Sequence, residues 1–348
     1  MKYLRYLLIF LPISFICNMI GAPSVVLFSV AALSIVPLAG VLGEATEEIS
    51  VYSGPRVGGF LNATFGNATE LIISIFALKA GLFDVVKASI AGSVIGNILL
   101  VLGMSMFVGG LKYKTQEFNH KIIEFSSSML LFSVIGLSIP AIFTHTVNSV
   151  TLNTARYEGL SLGVAVIMFS IYLLGIFFSF YTHKDLYGSE HDEAITAKWG
   201  LKKSIIILLT VTILIAIESE ILVGSVEPMS ASMHLSTFFV GIIIIPIIGN
   251  VAEHSTAVLM ALKNKMDVAI EIAIGSSLQM ILFVAPFLVF ISYVFKPMSI
   301  IFNEFELVSM IVSVFIANRV GNDGQSNWLE GIQLIAVYLI IALSFFII

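Results

Sequence analysis

Cysteine is almost missing from this chain. The single Cys17 among 348 residues excludes an internal disulfide framework and a thiolate metal centre, and it reads as one more apolar position of a buried helix. Charge is scarce too: 11% of the residues are Asp, Glu, Lys or Arg, against about a quarter in an ordinary soluble domain. Too few polar side chains remain to cover a water-facing surface of this size, so lipid has to be the solvent for much of it. The charge that is present forms no basic tail or stripe, and a net of -5 is small for the length, which argues against nucleic acid as a partner. No His-Glu-x-x-His occurs and no second His lies at metal-ligand spacing near Glu253 and His254, so an intramembrane metalloenzyme is disfavoured.

What the chain has in abundance is apolar surface, 58% hydrophobic residues with a mean hydropathy of +1.04. Apolar runs of about 17 to 25 residues, bounded by charge or turn residues, mark membrane-spanning helices. Eleven such spans are expected, at 4–20, 23–43, 57–80, 85–110, 122–143, 158–181, 201–223, 235–262, 268–295, 298–317 and 328–348. The expected fold is therefore an all-α integral membrane protein of about eleven transmembrane helices, embedded in a lipid bilayer. The first span follows Lys2 and Arg5, yet no small-x-small cleavage pattern follows its apolar run, so it reads as a retained helix and not as a signal peptide. With the N-terminus inside, only Lys79, Lys87, Arg156 and Lys296 of the 17 basic residues fall outside. The positive-inside rule then favours a cytoplasmic N-terminus and an external C-terminus.

The phrase Gly66-Asn67-Ala68-Thr69-Glu70 returns as Gly249-Asn250-Val251-Ala252-Glu253, each copy inside a hydrophobic run. The offset of 183 residues that brings Glu70 onto Glu253 also brings Asp84 onto Asp267, Gly92 onto Gly275 and Ser93 onto Ser276 without a gap. Hydrophobic helices match Leu to Ile by chance but seldom Gly, Asn, Asp, Glu and Ser together, so the chain is internally duplicated. An odd number of crossings separates the copies, and they must run through the membrane in opposite directions. The organisation expected is an N-terminal helix over 1–22, a five-helix repeat over 23–181, a connector over 182–200 and an inverted five-helix repeat over 201–348. Inverted repeats are a recurring plan of secondary transporters, whose site lies near the midplane where the repeats meet.

A carboxylate at membrane depth costs roughly 2.5 to 3.5 kcal/mol on insertion scales, which makes Glu70 and Glu253 functional candidates by default. Asn67 and Glu70 stand at i and i+3 on a helix, as do Asn250 and Glu253, so each half presents an amide and a carboxylate on one face. The Gly-Asn pair opening each motif weakens a helix, and irregular backbone at this depth is tolerated where it lines a cavity or is covered by protein. The helices that follow add Ser93 with Asn97, and Ser276 with Gln279. If these faces turn toward the two Glu residues, the site is an all-oxygen cluster suited to a hard cation such as Ca2+. Small polar residues also pack membrane helices, so Ser93, Ser276 and Asn97 fit either role. His254 faces another side of its helix than Glu253; helix packing, gating and proton relay all suit it.

Further acids flank this core. Glu44, Glu47 and Glu48 cluster at the inner end of the second span, as a solvated helix end or as a cation entrance, with Glu220 as a partial counterpart that requires an insertion. Between the halves, the segment from His183 to Glu193 is polar and mainly acidic, a solvated connector or a cation-attracting patch.

Gly66-Asn67-Ala68-Thr69-Glu70-Leu71-Ile72 and Gly249-Asn250-Val251-Ala252-Glu253-His254-Ser255-Thr256-Ala257-Val258 resemble the two signature segments of the calcium/proton antiporter family, a branch of the calcium/cation antiporter superfamily. Gly92-Ser93 and Ile274-Gly275-Ser276-Ser277-Leu278-Gln279 are similar to its following-helix pattern, and the resemblance runs over nearly the whole chain. Val251 departs from the Ala commoner at that place. The resemblance implies that Glu70 and Glu253 are the central cation ligands and proton carriers. Asn67, Asn250, Ser93, Ser276 and Gln279 would then surround them, with His254 a transport-relevant neighbour. Some vacuolar members have a long N-terminal extension and none is seen here, so a prokaryotic plasma-membrane protein is expected.

The expectation is thus a secondary antiporter exchanging Ca2+ for H+ by alternating access, with Ca2+ as cargo and no cofactor. Protonated, the two carboxyls are neutral and tolerate a dry site; deprotonated, they need a cation, and this competition is the core of the exchange. A sodium-coupled or Mn2+-preferring exchanger is the alternative, and a homo-oligomer is compatible with either. Two protons per Ca2+ would be electroneutral; three would add the membrane potential, about 2.3 kcal/mol per charge per 100 mV. A passive channel suits a duplicated, broken-helix plan less well.

Overall fold

The computed structural model describes residues 4–146, 154–182, 197–320 and 324–347, so the acidic segment 183–196 lies outside the described residues. A 3-10 stretch, Leu4–Ile9, leads into α1 (Phe10–Met19). The first repeat is built from α2 (Ser24–Phe65), α3 (Ala68–Lys79), α4 (Phe83–Ile95), α5 (Leu102–Tyr113), α6 (His120–Thr146) and α7 (Thr154–Phe177). The second contains α8 (Leu201–Met233), α9 (Thr237–Phe239), α10 (Ile245–Leu262), α11 (Met266–Gln279), α12 (Ala285–Phe295), α13 (Glu304–Val320) and α14 (Trp328–Ile347). Eight helical stretches among the described residues are long and apolar enough to cross a membrane. The remaining expected spans are short or interrupted: Arg5–Met19, α3 behind its break, and α13.

Several expected boundaries move. No loop separates the second and third spans, because α2 runs helically through both. A straight helix of 42 residues would extend about 63 Å, yet Ser50 Oγ donates to the Gly58 carbonyl at 3.1 Å. Eight residues of straight helix would put those atoms about 12 Å apart, so the chain reverses between them. The seventh span runs to Met233 and not Val223. The tenth begins only at Glu304, where Asn303 and Glu306 form a reciprocal cap, the Asn303 N–H donating to Glu306 Oε2 and the Glu306 N–H to Asn303 Oδ1, both at 2.8 Å.

The duplication is visible in the backbone. Gly81, with φ +80, makes the turn from α3 to α4, and Asn264, with φ 60, makes the equivalent turn from α10 to α11. Gly and Asn are the residues that enter this left-handed region at least cost. Asp84 and Asp267 then stand in the first turns of α4 and α11, where the helix dipole favours an acid. Each of these helices continues into a π-helical stretch, Gly96–Val101 in the first repeat and Met280–Val284 in the second. Such stretches are rare and gather at functional sites.

The long α2 and α8, each leading its repeat, pack along one another in the most extensive helix interface of the molecule. At one end, a short antiparallel ribbon pairs Thr115–Glu117 with Gln325–Asn327 and ties the repeats together. From this ribbon the buried Gln116 reaches the end of α10, its Nε2 donating to the Ala261 carbonyl and to Asn264 Oδ1, both at 2.9 Å. Lys112 Nζ and Tyr113 Oη donate to the Leu262 carbonyl at 2.8 and 2.9 Å, so carbonyls that α10 leaves unbonded are satisfied by the first repeat.

Candidate functional site

The chain breaks helix at Gly66-Asn67 and resumes with α3, which places Glu70 in the first turn of the new helix. The expected break at Gly249-Asn250 is not there: α10 runs through it, and the irregularity in that copy is a π-helical stretch, Val240–Ile244, one turn earlier. Equal sequences have therefore taken unequal conformations.

Glu70 is fully buried, and neither of its carboxylate oxygens has a hydrogen-bond partner. Gly249 of the other motif lies against it, so close that a Cβ there would stand 2.9 Å from Glu70 Cγ. Glu253, a turn further along α10, is half-buried, interacts electrostatically with Glu70, and also leaves an oxygen, Oε2, without a partner. Asn250 Oδ1 and Gln279 Nε2 are buried and unpartnered as well. Buried polar atoms of native proteins are nearly always satisfied, so the orphaned oxygens of Glu70, Glu253 and Asn250 fit a cation ligand shell.

The amides and hydroxyls named from the sequence come together. Asn67 Nδ2 donates to Gln279 Oε1 at 2.6 Å, Ser276 Oγ donates to Asn67 Oδ1 at 2.8 Å, and Asn97 Nδ2 donates to Ser276 Oγ at 3.0 Å. Asn97 Oδ1 then faces His254 Nε2 at 3.0 Å, a pairing that requires the proton on Nε2. These five side chains form one hydrogen-bonded chain across both repeats. Asn250 Nδ2 donates to Ser93 Oγ at 3.3 Å and to the Pro246 carbonyl at 3.0 Å, the first bond mirroring that between Asn67 and Ser276. His254 thus reaches the cluster through Asn97.

A cavity of about 420 Å³ opens beside Glu253, lined by Gly66, Thr69, Gly249 and Thr256 and also by Glu44, Glu47 and Val268. Glu44 is also paired with Arg5 from the N-terminal segment. Glu48 is turned away, accepting the backbone N–H groups of Lys198 and Trp199 at 2.8 and 3.0 Å ahead of α8. Glu220 lies off this cavity, in an exposed ion pair with Lys79 at 3.2 Å. The residue 183 positions after Glu44 is Glu227, exposed on α8; the repeat offset alone identifies it, without the insertion that Glu220 demands. Among the described residues no group of three or more His, Cys, Asp and Glu forms a metal cluster. The donor set is two carboxylates with amide and hydroxyl oxygens, the preference of Ca2+ and not of softer metals.

The sodium/calcium exchanger protein family model matches residues 23–181 and 203–347. The chain is 46% identical over 356 residues to the Ca2+/H+ antiporter of Aphanothece halophytica, covering 98% of this chain and 95% of that protein. It is 45% identical to the Ca2+/H+ antiporter ChaA of Bacillus subtilis, over 97% of this chain and 96% of the relative. The solved structure of native YfkE superposes with a TM-score of 0.86 at 42% identity, covering 99% of each chain.

Proposed function

The chain belongs to the sodium/calcium exchanger protein family and stands among its Ca2+/H+ antiporters, and from that premise we propose that Glu70 and Glu253 carry the exchange by holding either Ca2+ or protons. The protein is a multi-pass membrane antiporter of Ca2+ and H+. The observation that carries the site assignment is the fully buried Glu70 carboxylate, unpartnered and beside Glu253 where the two repeats meet.

Two carboxylates in a dry, low-dielectric site are too costly to leave bare. One Ca2+ or two protons neutralises the pair, and either form crosses between access states while the bare pair does not. Ca2+ bound from one side is thereby released on the other only against protons. If these two groups are the only proton carriers, the exchange is two H+ per Ca2+ and electroneutral.

With the N-terminus in the cytoplasm, as the Lys and Arg distribution favours, the cavity beside Glu253 opens inward and Glu44 and Glu47 stand at its mouth. Glu227 takes the corresponding place at the outer end of α8. Clustered carboxylates at a mouth raise the local cation concentration. A prokaryotic plasma membrane is the setting that fits the bacterial relatives.

The test is ion flux in liposomes containing the full chain, with imposed pH, Na+ and voltage gradients and with Ca2+ or Mn2+ as cargo. Ca2+ accumulation driven by the pH gradient and indifferent to Na+ and to voltage supports the reading. Accumulation that follows the Na+ gradient overturns it in favour of sodium coupling.

A further inference from the structure

One helix of this chain stands outside the duplication. The helix α1 and the 3-10 stretch ahead of it have no counterpart in the inverted plan, yet they pack on α2 and α1 touches α8, the leading helices of the two repeats. Leu8 and Leu11 join a small apolar cluster separate from the main core, made with Leu38 and Leu42 of α2 and Val211 and Ile215 of α8. Further along α1, Ser14 Oγ donates to Glu218 Oε2 at 2.7 Å, with both residues at 0% exposure. The residue 183 positions before Glu218 is Ile35, also at 0% exposure, so a carboxyl replaces an apolar side chain on the one leading helix that receives the Ser14 hydroxyl.

At its other end the same segment presents a charge. Arg5 forms an ion pair with Glu44 on α2, and Glu44 with Glu47 lines the cavity beside Glu253. The two partners keep 52% and 22% side-chain exposure, and an ion pair so exposed contributes too little to hold a helix in place. What holds Arg5 at Glu44 is the docking of α1 through its leucines and through the buried bond to Glu218, a carboxyl whose other oxygen is already without a partner. Breaking that bond would leave a second buried oxygen unsatisfied, which keeps α1 in its seat. A group tethered in this way stays near its target at a roughly millimolar effective concentration, whatever the bulk solution contains. Glu227, the counterpart of Glu44, is exposed on α8 and forms no ion pair among the described residues.

We propose that Arg5 is a tethered competitor for the cation at this cavity: its guanidinium neutralises Glu44, and Ca2+ entering there displaces it before reaching Glu70 and Glu253. Two bare carboxylates would concentrate a divalent cation at the cavity, and a pair with one member neutralised does so less. Arg5 thereby raises half-saturation for Ca2+ on one side of the membrane and leaves the other side, where Glu227 stands, as it is. The two directions differ in affinity although the repeats that build the site are alike, and the difference comes from residues outside the repeats. Ser14 and Glu218 act through Arg5 as positioning residues, fixing where along α2 the guanidinium falls.

The inference rests on the antiport reading, with the cavity on the side of the N-terminus, and Arg5→Gln in the full chain tests it in vesicles of both orientations. With Ca2+ presented on the cavity side at about 0.01 M salt, where charges act over about 30 Å, half-saturation falls about two- to fivefold. At about 1 M salt, where that reach shrinks to about 3 Å, the variant and the unsubstituted protein coincide. From the opposite side half-saturation is the same in both proteins. In a Glu44→Gln background Arg5→Gln has no further effect, and Ser14→Ala, which loosens α1, lowers half-saturation as Arg5→Gln does without adding to it. An unchanged half-saturation on the cavity side, an equal shift from both sides, or a shift that persists at about 1 M salt overturns the competition. Half-saturation left where it was by Ser14→Ala overturns the anchoring. Absence of exchange in the unsubstituted protein would instead sink the functional reading.

Discussion

The glycine of one motif is shaped around the carboxylate of the other: a methyl group on Gly249 would lie 3.0 Å from Glu70 Oε1 and 2.9 Å from its Cγ. The repeated Gly therefore does more than weaken a helix, since it lets α10 approach the buried Glu70 that α3 presents. Gly249→Ala forces that carboxyl aside. Overpacking of a tight site costs about 1 to 3 kcal/mol, so half-saturation for Ca2+ is expected to rise by about fivefold to 150-fold in liposome uptake. An unchanged half-saturation would refute this relation.

Glu70→Gln and Glu253→Gln each remove one charge from the pair while keeping its shape. Neither variant then exchanges, because a single carboxylate does not neutralise Ca2+ and an amide does not carry a proton. Uptake into vesicles under a pH gradient measures this; full activity in either variant removes the residue from the mechanism. In the unsubstituted protein, lowering pH on the Ca2+-binding side raises half-saturation for Ca2+, since protons and Ca2+ contend for the same oxygens.

Asn97 joins His254 to Ser276, so Asn97→Leu leaves His254 Nε2 without its partner, while Ser276 keeps its bond to Asn67. A buried group left without its partner costs about 1 to 3 kcal/mol, and the variant should unfold at lower temperature in detergent. Transport should slow because the chain through Ser276 to Asn67 loses its anchor. Asn97→Asp, which keeps an acceptor toward His254, should restore part of the stability; equal destabilisation in both variants would show that His254 does not depend on this bond.

Glu220 and Glu227 separate an ion pair from an entrance. The exposed Glu220–Lys79 pair contributes about 0 to 1 kcal/mol, so Glu220→Gln leaves transport as it was. Glu227→Gln weakens low-concentration Ca2+ uptake from the outer side and leaves uptake from the cytoplasmic side unchanged. Right-side-out and inside-out vesicles compare the two directions, and a symmetric effect would remove Glu227 from the outer mouth.

Much of this site was legible because its chemistry is expensive. Glu70 and Glu253 stand out in an apolar chain, and Asn67, Asn97, Ser276 and Gln279 follow from helical spacing once the repeat is aligned. Glu227 stands at the repeat offset from Glu44, whereas Glu220 matches it only through an insertion. The reversal between Ser50 and Gly58 was not legible as a helical turn, because its hydrophobic pattern pointed to two spans with a loop. Nor does either Gly-Asn pair reveal which copy breaks, since the same two residues stand in a break at Gly66-Asn67 and inside a continuous helix at Gly249-Asn250.

The carbonyls at the end of α10 are tied down by Gln116, Lys112 and Tyr113. At about 1.5 Å per residue, Leu262 lies about 14 Å from Glu253 and about 30 Å from Ile242 along this path. With that end held by the first repeat, any tilt of α10 about it would carry the far tip roughly twice as far as Glu253.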